Sequence, residues 1–456
     1  MVLPLPLVTF EKHMLFDDRP AFPMNCFLRA HFSGRLDVPT LQVALPAVLA
    51  RHPLFRARVS MVGRRQTWVA CADWPTVSAF SLRDSGEWPH PTPIDVSREP
   101  GLRLSVVETE ERCSLVMQFH HACCDAVGAC AFLEELFTAY VQARAGAVPS
   151  LPPLDAESLR HRGRFSGLSG GVGQVIRQKS VGLLRAWRFA TRTPLSIGFP
   201  SSSDPSEAVA NGAPAVLSRR LSAAESLRLR QAASRQGVTL NDLLMRDWFL
   251  AVDGWKRRYV PGASRGRLRV CVPMNLRTDE HRRSPASNVI SMAFVERRRE
   301  NLADPDLLLQ GIHEEMSMVK RLRLGQAFVV GMGLVEKLPH RLLHAIAPNR
   351  CWASGVLSNL GVVMGDAALP TRDGRLDLDG VVLEEIEALP PLRAATHAAF
   401  VVFTYAGRLC LTLHYDARAI EPSQAGDLGD GYVRQLQASM EDAAPQSSPW
   451  PEDSRR

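Results

Sequence analysis

No stretch of this 456-residue chain approaches the roughly 20 uninterrupted apolar residues that a membrane-crossing helix needs. The apolar opening, Met1 to Val8, is short, lacks a basic leader and is broken by Pro4 and Pro6, so it is a poor secretory signal. The nine cysteines are odd in number and irregularly spaced, and none forms a Cys-x-x-Cys pair. That pattern argues against a disulfide framework or a zinc ribbon and leads us to expect reduced thiols in a cytoplasmic protein. Short-period repeats are missing as well. What is there suits a globular protein: 46% of residues are hydrophobic, and the length leaves room for two domains of about 200 residues each. The formal charge is +7, from 54 basic and 47 acidic residues, with arginine dominating the basic side. This balance suits phosphate groups, an acidic partner, an anionic surface or merely solvated faces. The charge is scattered and no nucleic-acid motif accompanies it, so DNA or RNA binding ranks last.

Chemistry concentrates at Phe119-His120-His121-Ala122-Cys123-Cys124-Asp125-Ala126-Val127-Gly128. Upstream, Leu102 to Glu108 and Cys113 to His121 are β-prone runs that form a hairpin around Thr109-Glu110-Glu111-Arg112. Alternation puts Leu115, Met117, Phe119 and His121 on one face, and Ser114, Val116, Gln118 and His120 on the other. His121 is thus the histidine on the apolar face, and His120 is assigned to packing or hydrogen bonding. Neighbours on a strand point apart, which argues against one metal ion held by both rings. After Asp125 the spacing turns helical, with Ala129, Phe132, Leu133, Leu136, Phe137 and Tyr140 on one side, until Gly146 and Pro149 stop it. Three readings of His121 stand open: a general base kept neutral by partial desolvation, a core histidine with a satisfied hydrogen bond, and the partner of a Cys123 or Cys124 nucleophile.

Along the chain, residues 1–150 form a first lobe of sheet and helices, with a helix from Asp37 to Leu49 that Pro46 should bend. Residues 151–214 hold a linker, a glycine-rich break at Gly167 to Gly173, a basic amphipathic helix ending near Arg192, and a Ser/Ala/Pro-rich crossover from Pro200 to Pro214. The helix suits a membrane surface, an acidic carrier protein or a solvated face joining the lobes; the last is favoured. A second lobe spans 215–440. Ser222-Ala-Ala-Glu225 and Thr239-Leu-Asn-Asp242 start successive helices that divide at Gly237. Leu268, Val270 and Val272 alternate as a strand, and Phe400 to Tyr405 with Leu409 to Tyr415 form a hairpin. The polar residues 441–456 are expected to be a disordered tail.

His120-His121-x-x-x-Asp125 resembles the His-His-x-x-x-Asp-Gly signature of the chloramphenicol acetyltransferase-like superfamily. That superfamily includes condensation domains, polyketide-associated acyltransferases, alcohol acetyltransferases and wax ester synthases. Further similar stretches occur in the family's order: Gly34-Arg35-Leu36-Asp37, Arg51-His52-Pro53-Leu54-Phe55-Arg56, Gly237 to Leu244, Val272-Pro273-Met274-Asn275-Leu276-Arg277, and Val356-Leu357-Ser358-Asn359-Leu360-Gly361. The resemblance implies an α/β fold, each of two lobes a mixed sheet with helices, and an active-site tunnel between them. It implies His121 as the base that takes a proton from an alcohol or amine attacking a thioester, and a structural Asp125 paired with an arginine, for which Arg277 is the candidate. Ser358, Asn359 and Asn275 are candidates for the oxyanion region or tunnel, although Asn359 and Asn275 read equally as turn residues. Ala126 replaces the motif glycine, which leaves room for a shifted loop. The absence of an Asp-Phe-Gly-Trp-Gly-like stretch argues against the plant branch.

On this resemblance the chain is expected to be an acyltransferase with no bound cofactor and no metal. Its donor would be acyl-coenzyme A or acyl-phosphopantetheine, the latter on an acyl carrier protein supplied in trans, since no carrier or adenylation segment is attached. O-acyl transfer to an alcohol is the first reading, amide-forming condensation the second, and a noncatalytic scaffold of the same fold the third. A monomer with peripheral membrane contact at most is expected.

Overall fold

The computed structural model describes residues 2–81, 92–109, 112–165, 172–199, 214–260, 265–281, 284–335 and 350–441, with side chains at all of these except 81, 172–176 and 334–335. The tip of the charged turn, most of the glycine-rich break, the crossover and the tail expected from sequence lie outside the described residues.

The chain begins with β1 (Leu5–Pro6), α1 (Thr9–Asp17) and β2 (Asn25–Ser33). Helix α2 (Val38–Arg51) starts where the Asp37 carboxylate accepts the Thr40 N–H at 2.9 Å, and it runs on through Pro46. There follow β3 (Ala57–Val62), β4 (Arg65–Ala70), β5 (Val77–Ser81), β6 (Leu102–Glu108), β7 (Cys113–His120) and α3 (Ala126–Arg144). The apolar residues that the helical spacing singled out in α3, from Ala129 to Tyr140, are all buried. A link contains α4 (Ala156–His161) and α5 (Val172–Thr191). It is tied back by Arg162, whose guanidinium donates to the fully buried Glu11 carboxylate at 2.6 and 2.9 Å. Two charges so deep are tolerable because Trp68 Nε1 and the Val8 N–H also donate to that carboxylate.

The second half contains β8 (Ala215–Arg220), α6 (Ala223–Arg235), α7 (Leu240–Tyr259), β9 (Arg267–Asn275), β10 (Ile290–Arg298), α8 (Pro305–Arg321) and α9 (Leu324–Val335). After these come β11 (Gly355–Val362), the short hairpin β12 (Thr371–Arg372) and β13 (Arg375–Leu376), then β14 (Val382–Leu389), β15 (Ala398–Tyr405), β16 (Arg408–Tyr415) and α10 (Pro422–Glu441). Both expected capping boxes form, at Ser222 with Glu225 and at Thr239 with Asp242.

Two mixed sheets organise these elements. The first runs β14-β2-β7-β6-β5, with only β5 and β6 parallel; the second runs β10-β9-β11-β15-β16-β8, with β11 parallel to both β9 and β15. β14 comes from the stretch assigned by sequence to the second lobe, yet it pairs antiparallel with β2, Val382 opposite Ser33 and Leu389 opposite Phe27. It thereby covers an edge of β2 that would otherwise present unpaired N–H and C=O groups. β15 is buried along its whole length. Its Ala398, Phe400 and Val402 enter the core of the second half, while Val401, Phe403 and Tyr405 join that of the first. One strand therefore welds the two cores, which is why it reads as a continuous apolar run.

Candidate active site

At the end of β7 the chain leaves the first sheet and turns into α3. His120 pairs with Asn25 of β2 in the last rung of the ladder, and the His121 N–H still donates to the Met24 carbonyl at 2.8 Å. The two rings point apart, as strand alternation requires. His120 is fully buried; its Nδ1 accepts the Ala122 N–H at 3.1 Å, and its Nε2 lies 3.3 Å from Asp18. His121 instead meets Phe10 of α1, ring centroids 5.9 Å apart, and the His13 ring lies 6.5 Å from that of Phe10. Burial lowers the His121 pKa from its ordinary value; the nearby Asp125 charge and the carbonyls of His121 and Cys124 pull back against that shift. Nδ1 is buried without a well-formed hydrogen bond among the described residues. The lowered pKa leaves the ring neutral near pH 7.

Cys123 and Cys124 are fully buried, and desolvation pushes both thiols well above their usual pKa. Neither is a thiolate near neutral pH, so the thiol-nucleophile reading loses its physical basis. Cys123 also packs against Gly101 so tightly that a Cβ there would fall 2.0 Å from its sulfur.

Asp125 forms no hydrogen bond with His121 among the described residues. One carboxylate oxygen caps α3 by accepting the Gly128 N–H at 2.9 Å; the other accepts from Arg277 Nη1 at 2.8 Å and from the Val289 N–H at 2.9 Å. Arg277 Nη2 also donates to the Ser287 carbonyl at 2.9 Å. A carboxylate from the β7–α3 turn and a guanidinium from beyond β9 are therefore held together across the junction of the two halves. Ala126 opens α3 as an ordinary helical residue, and it is Gly128 that permits close approach: a Cβ there would lie 3.2 Å from the Ser287 nitrogen.

The segment 286–289 makes two more contacts that residue patterns did not single out. Asn288 is buried and its Nδ2 donates to the carbonyls of both His121 and Ala122, at 2.8 and 2.9 Å. His52, from the Arg-His-Pro stretch, accepts the Ala286 N–H on Nδ1 at 2.8 Å. Its Nε2 must then carry the proton, which it donates to Glu135 at 2.9 Å; Glu135 also receives Arg51. The available signal for Asn288 was a buried-type asparagine in a Pro-Ala-Ser-Asn loop, but no periodicity marks such a loop.

Of the remaining candidates, Asn275 meets this turn through Arg277, whose Nη1 donates to Asp125 and also lies 3.5 Å from Asn275 Oδ1. Asn275 accepts from the Arg277 N–H at 3.0 Å, and Asn359 Oδ1 accepts from the N–H of Gly361, a residue with φ +74°, at 2.9 Å. Both side chains are engaged in local turns. Ser358 is buried on β11 opposite Val401. No hydrogen bond among the described residues joins Ser358, Asn359 or Asn275 to His121, and no cluster there has the makings of a metal site.

Two mixed sheets joined through a His-His-x-x-x-Asp turn define a two-lobed condensation-type fold. The Condensation domain family matches residues 12–158, and the wax ester synthase/diacylglycerol acyltransferase catalytic domain family matches residues 90–244, so both cover the turn. Each match covers about a third of the chain, and over those stretches the chain is similar to the condensation-domain-like acyltransferases. It is 27% identical over 320 residues to an uncharacterised protein of Mycobacterium tuberculosis, spanning 67% of this chain and 69% of that protein. In three dimensions it superposes on the first condensation domain of the calcium-dependent antibiotic synthetase, solved with a substrate analogue, with a TM-score of 0.69, 14% identity and 97% of each chain covered. Polyketide synthase associated protein 5 from Mycobacterium tuberculosis superposes with a TM-score of 0.64 at 16% identity, covering 97% of this chain and 100% of that one.

Proposed function

We propose that the protein transfers an acyl group from a coenzyme A or carrier-bound pantetheine thioester to an alcohol, with His121 as general base. The observation that carries this reading is a neutral imidazole at a strand end, its Nδ1 without a well-formed hydrogen bond among the described residues and its main-chain carbonyl fixed by Asn288. A base whose pKa lies near or below neutrality accepts a proton as the acceptor oxygen attacks the thioester carbonyl; the thiolate then leaves and the proton follows it. Asp125 and Arg277 position the turn and touch neither reactant. Both family matches cover the turn and the whole of α3: the wax ester synthase match supports ester formation, which we take as the first reading, and the Condensation match supports an amine acceptor, which we take as the second. A noncatalytic scaffold is the third. The test is mass-spectrometric identification of products from acyl-coenzyme A and acyl carrier protein donors offered mixed alcohols and amines. Esters are the expected product, amides alone would move the assignment to condensation, and hydrolysed acid alone would contradict acyl transfer.

A further inference from the structure

Helix α5 is amphipathic in an unexpected sense. At helical spacing Gln178, Arg185, Phe189 and Arg192 face inward. Arg185 donates to Glu315 at 2.6 Å and to the Phe294 carbonyl at 2.8 Å, Arg192 donates to Glu296 at 3.2 Å, and the Phe189 ring stacks on Trp352 at 4.9 Å. The opposite face carries Leu183, Leu184 and Trp187, which are 74%, 45% and 58% exposed. Arg177, Lys179 and Arg188 border this stripe, are exposed, and form no ion pair among the described residues. A merely solvated face would put charges along its centre and leucines beneath. Here the centre is apolar and only the rims are cationic, and such a stripe calls for a cover.

Its surroundings continue the pattern. α9 holds no charged residue along its length, packs against both α5 and α1, and exposes Val330. α1 in turn carries Phe10 and His13 beside His121. The apolar outer surface is therefore one helix away from the wall of the candidate site.

We infer that α5 lies in the headgroup region of an anionic lipid bilayer, with Leu183, Leu184 and Trp187 sunk toward the acyl chains and Arg177, Lys179 and Arg188 against lipid phosphates. A lipid surface supplies hydrocarbon beneath the stripe and negative charge at both rims, whereas an acidic protein would set carboxylates against leucine and tryptophan. The contact is peripheral, for no helix among the described residues is long and apolar enough to cross a membrane. It stands independently of the reaction proposed for His121.

The experiment is flotation of the full chain with phosphatidylcholine vesicles, with and without phosphatidylglycerol. The wild type should float with the anionic vesicles and not with the neutral ones. Leu183→Glu/Trp187→Glu should abolish flotation. Arg177→Gln/Lys179→Gln/Arg188→Gln should weaken it by roughly a hundredfold. All substitutions are on exposed side chains, so circular dichroism and thermal midpoint should match the wild type, and His121→Ala should float normally whatever its activity. Absence of flotation by the wild type, equal flotation with neutral vesicles, or flotation untouched by either variant would overturn the inference. So would self-association through the same stripe in place of vesicle binding.

Discussion

His121 is neutral because burial costs the imidazolium more than the nearby Asp125 charge and two carbonyls return. The lowered pKa means that the base form persists throughout the neutral range and is lost only as pH falls below the ordinary histidine value of 6.5. The dependence of kcat/KM on pH should therefore be flat above that value and show an acid limb below it; an acid limb centred above pH 7 would contradict a desolvated base. Asn288 works on the same residue through the main chain. Asn288→Ala removes both donors to the His121 and Ala122 carbonyls and should lower kcat by about tenfold or more while KM changes little, because misplacement of a catalytic group by about 1 Å can cost 10²-fold. An unchanged kcat would show that β7 alone fixes the histidine.

At the scale of elements, the turn from β7 to α3 is held by one carboxylate with three donors, two of them from the other half of the chain. Asp125→Ala leaves the largely buried Arg277 guanidinium without its partner and two N–H groups unsatisfied, so it should destabilise the protein by about 3 to 5 kcal/mol, read as a lower denaturation midpoint. Gly128→Val should push the 286–289 segment off α3 and reduce activity at least as much as Asn288→Ala does, with helix content retained by circular dichroism. Much of this turn was legible in the residues. Alternation separated His120 from His121, the switch in period located α3, and the resemblance paired Asp125 with Arg277. Asn288 and the inter-lobe bond of His52 were not legible, since a loop without periodicity gives no facing. The outward turn of Leu183 and Trp187 was hidden for a related reason: an amphipathic period locates two faces without saying which one the rest of the protein covers, and here Arg185 and Arg192 find half-buried carboxylates inside.

For the molecule as a whole, the resemblance implied two lobes with a mixed sheet each and the strand and cap patterns located several of their elements, but the lobes are less separate than chain order suggests. β14 crosses to complete the first sheet and β15 contributes to both cores, because strand pairing joins elements whose sequence separation carries no local signal. This interlock has a titratable component. His52, buried between α3 and Ala286, and His414, whose pKa burial lowers to about 4, are both held below the ordinary histidine value. The unfolded chain thus binds more protons than the folded one between about pH 4 and 6.5, so this stability is complete above pH 6.5 and drains away as pH falls through that window. The thermal midpoint should drop accordingly. His414→Asn keeps a donor for the Pro390 carbonyl without a titrating group and should flatten part of the drop; an unaltered profile would exclude His414 as a contributor.

The central claim is that His121 takes the acceptor's proton during attack on a thioester. The most direct measurement is free-thiol release from acyl thioester donors, with and without acceptor, for the wild type and His121→Ala. Acceptor-dependent release that the substitution lowers by about a hundredfold or more is the predicted result. Acceptor-dependent release that proceeds equally well without the imidazole would contradict it.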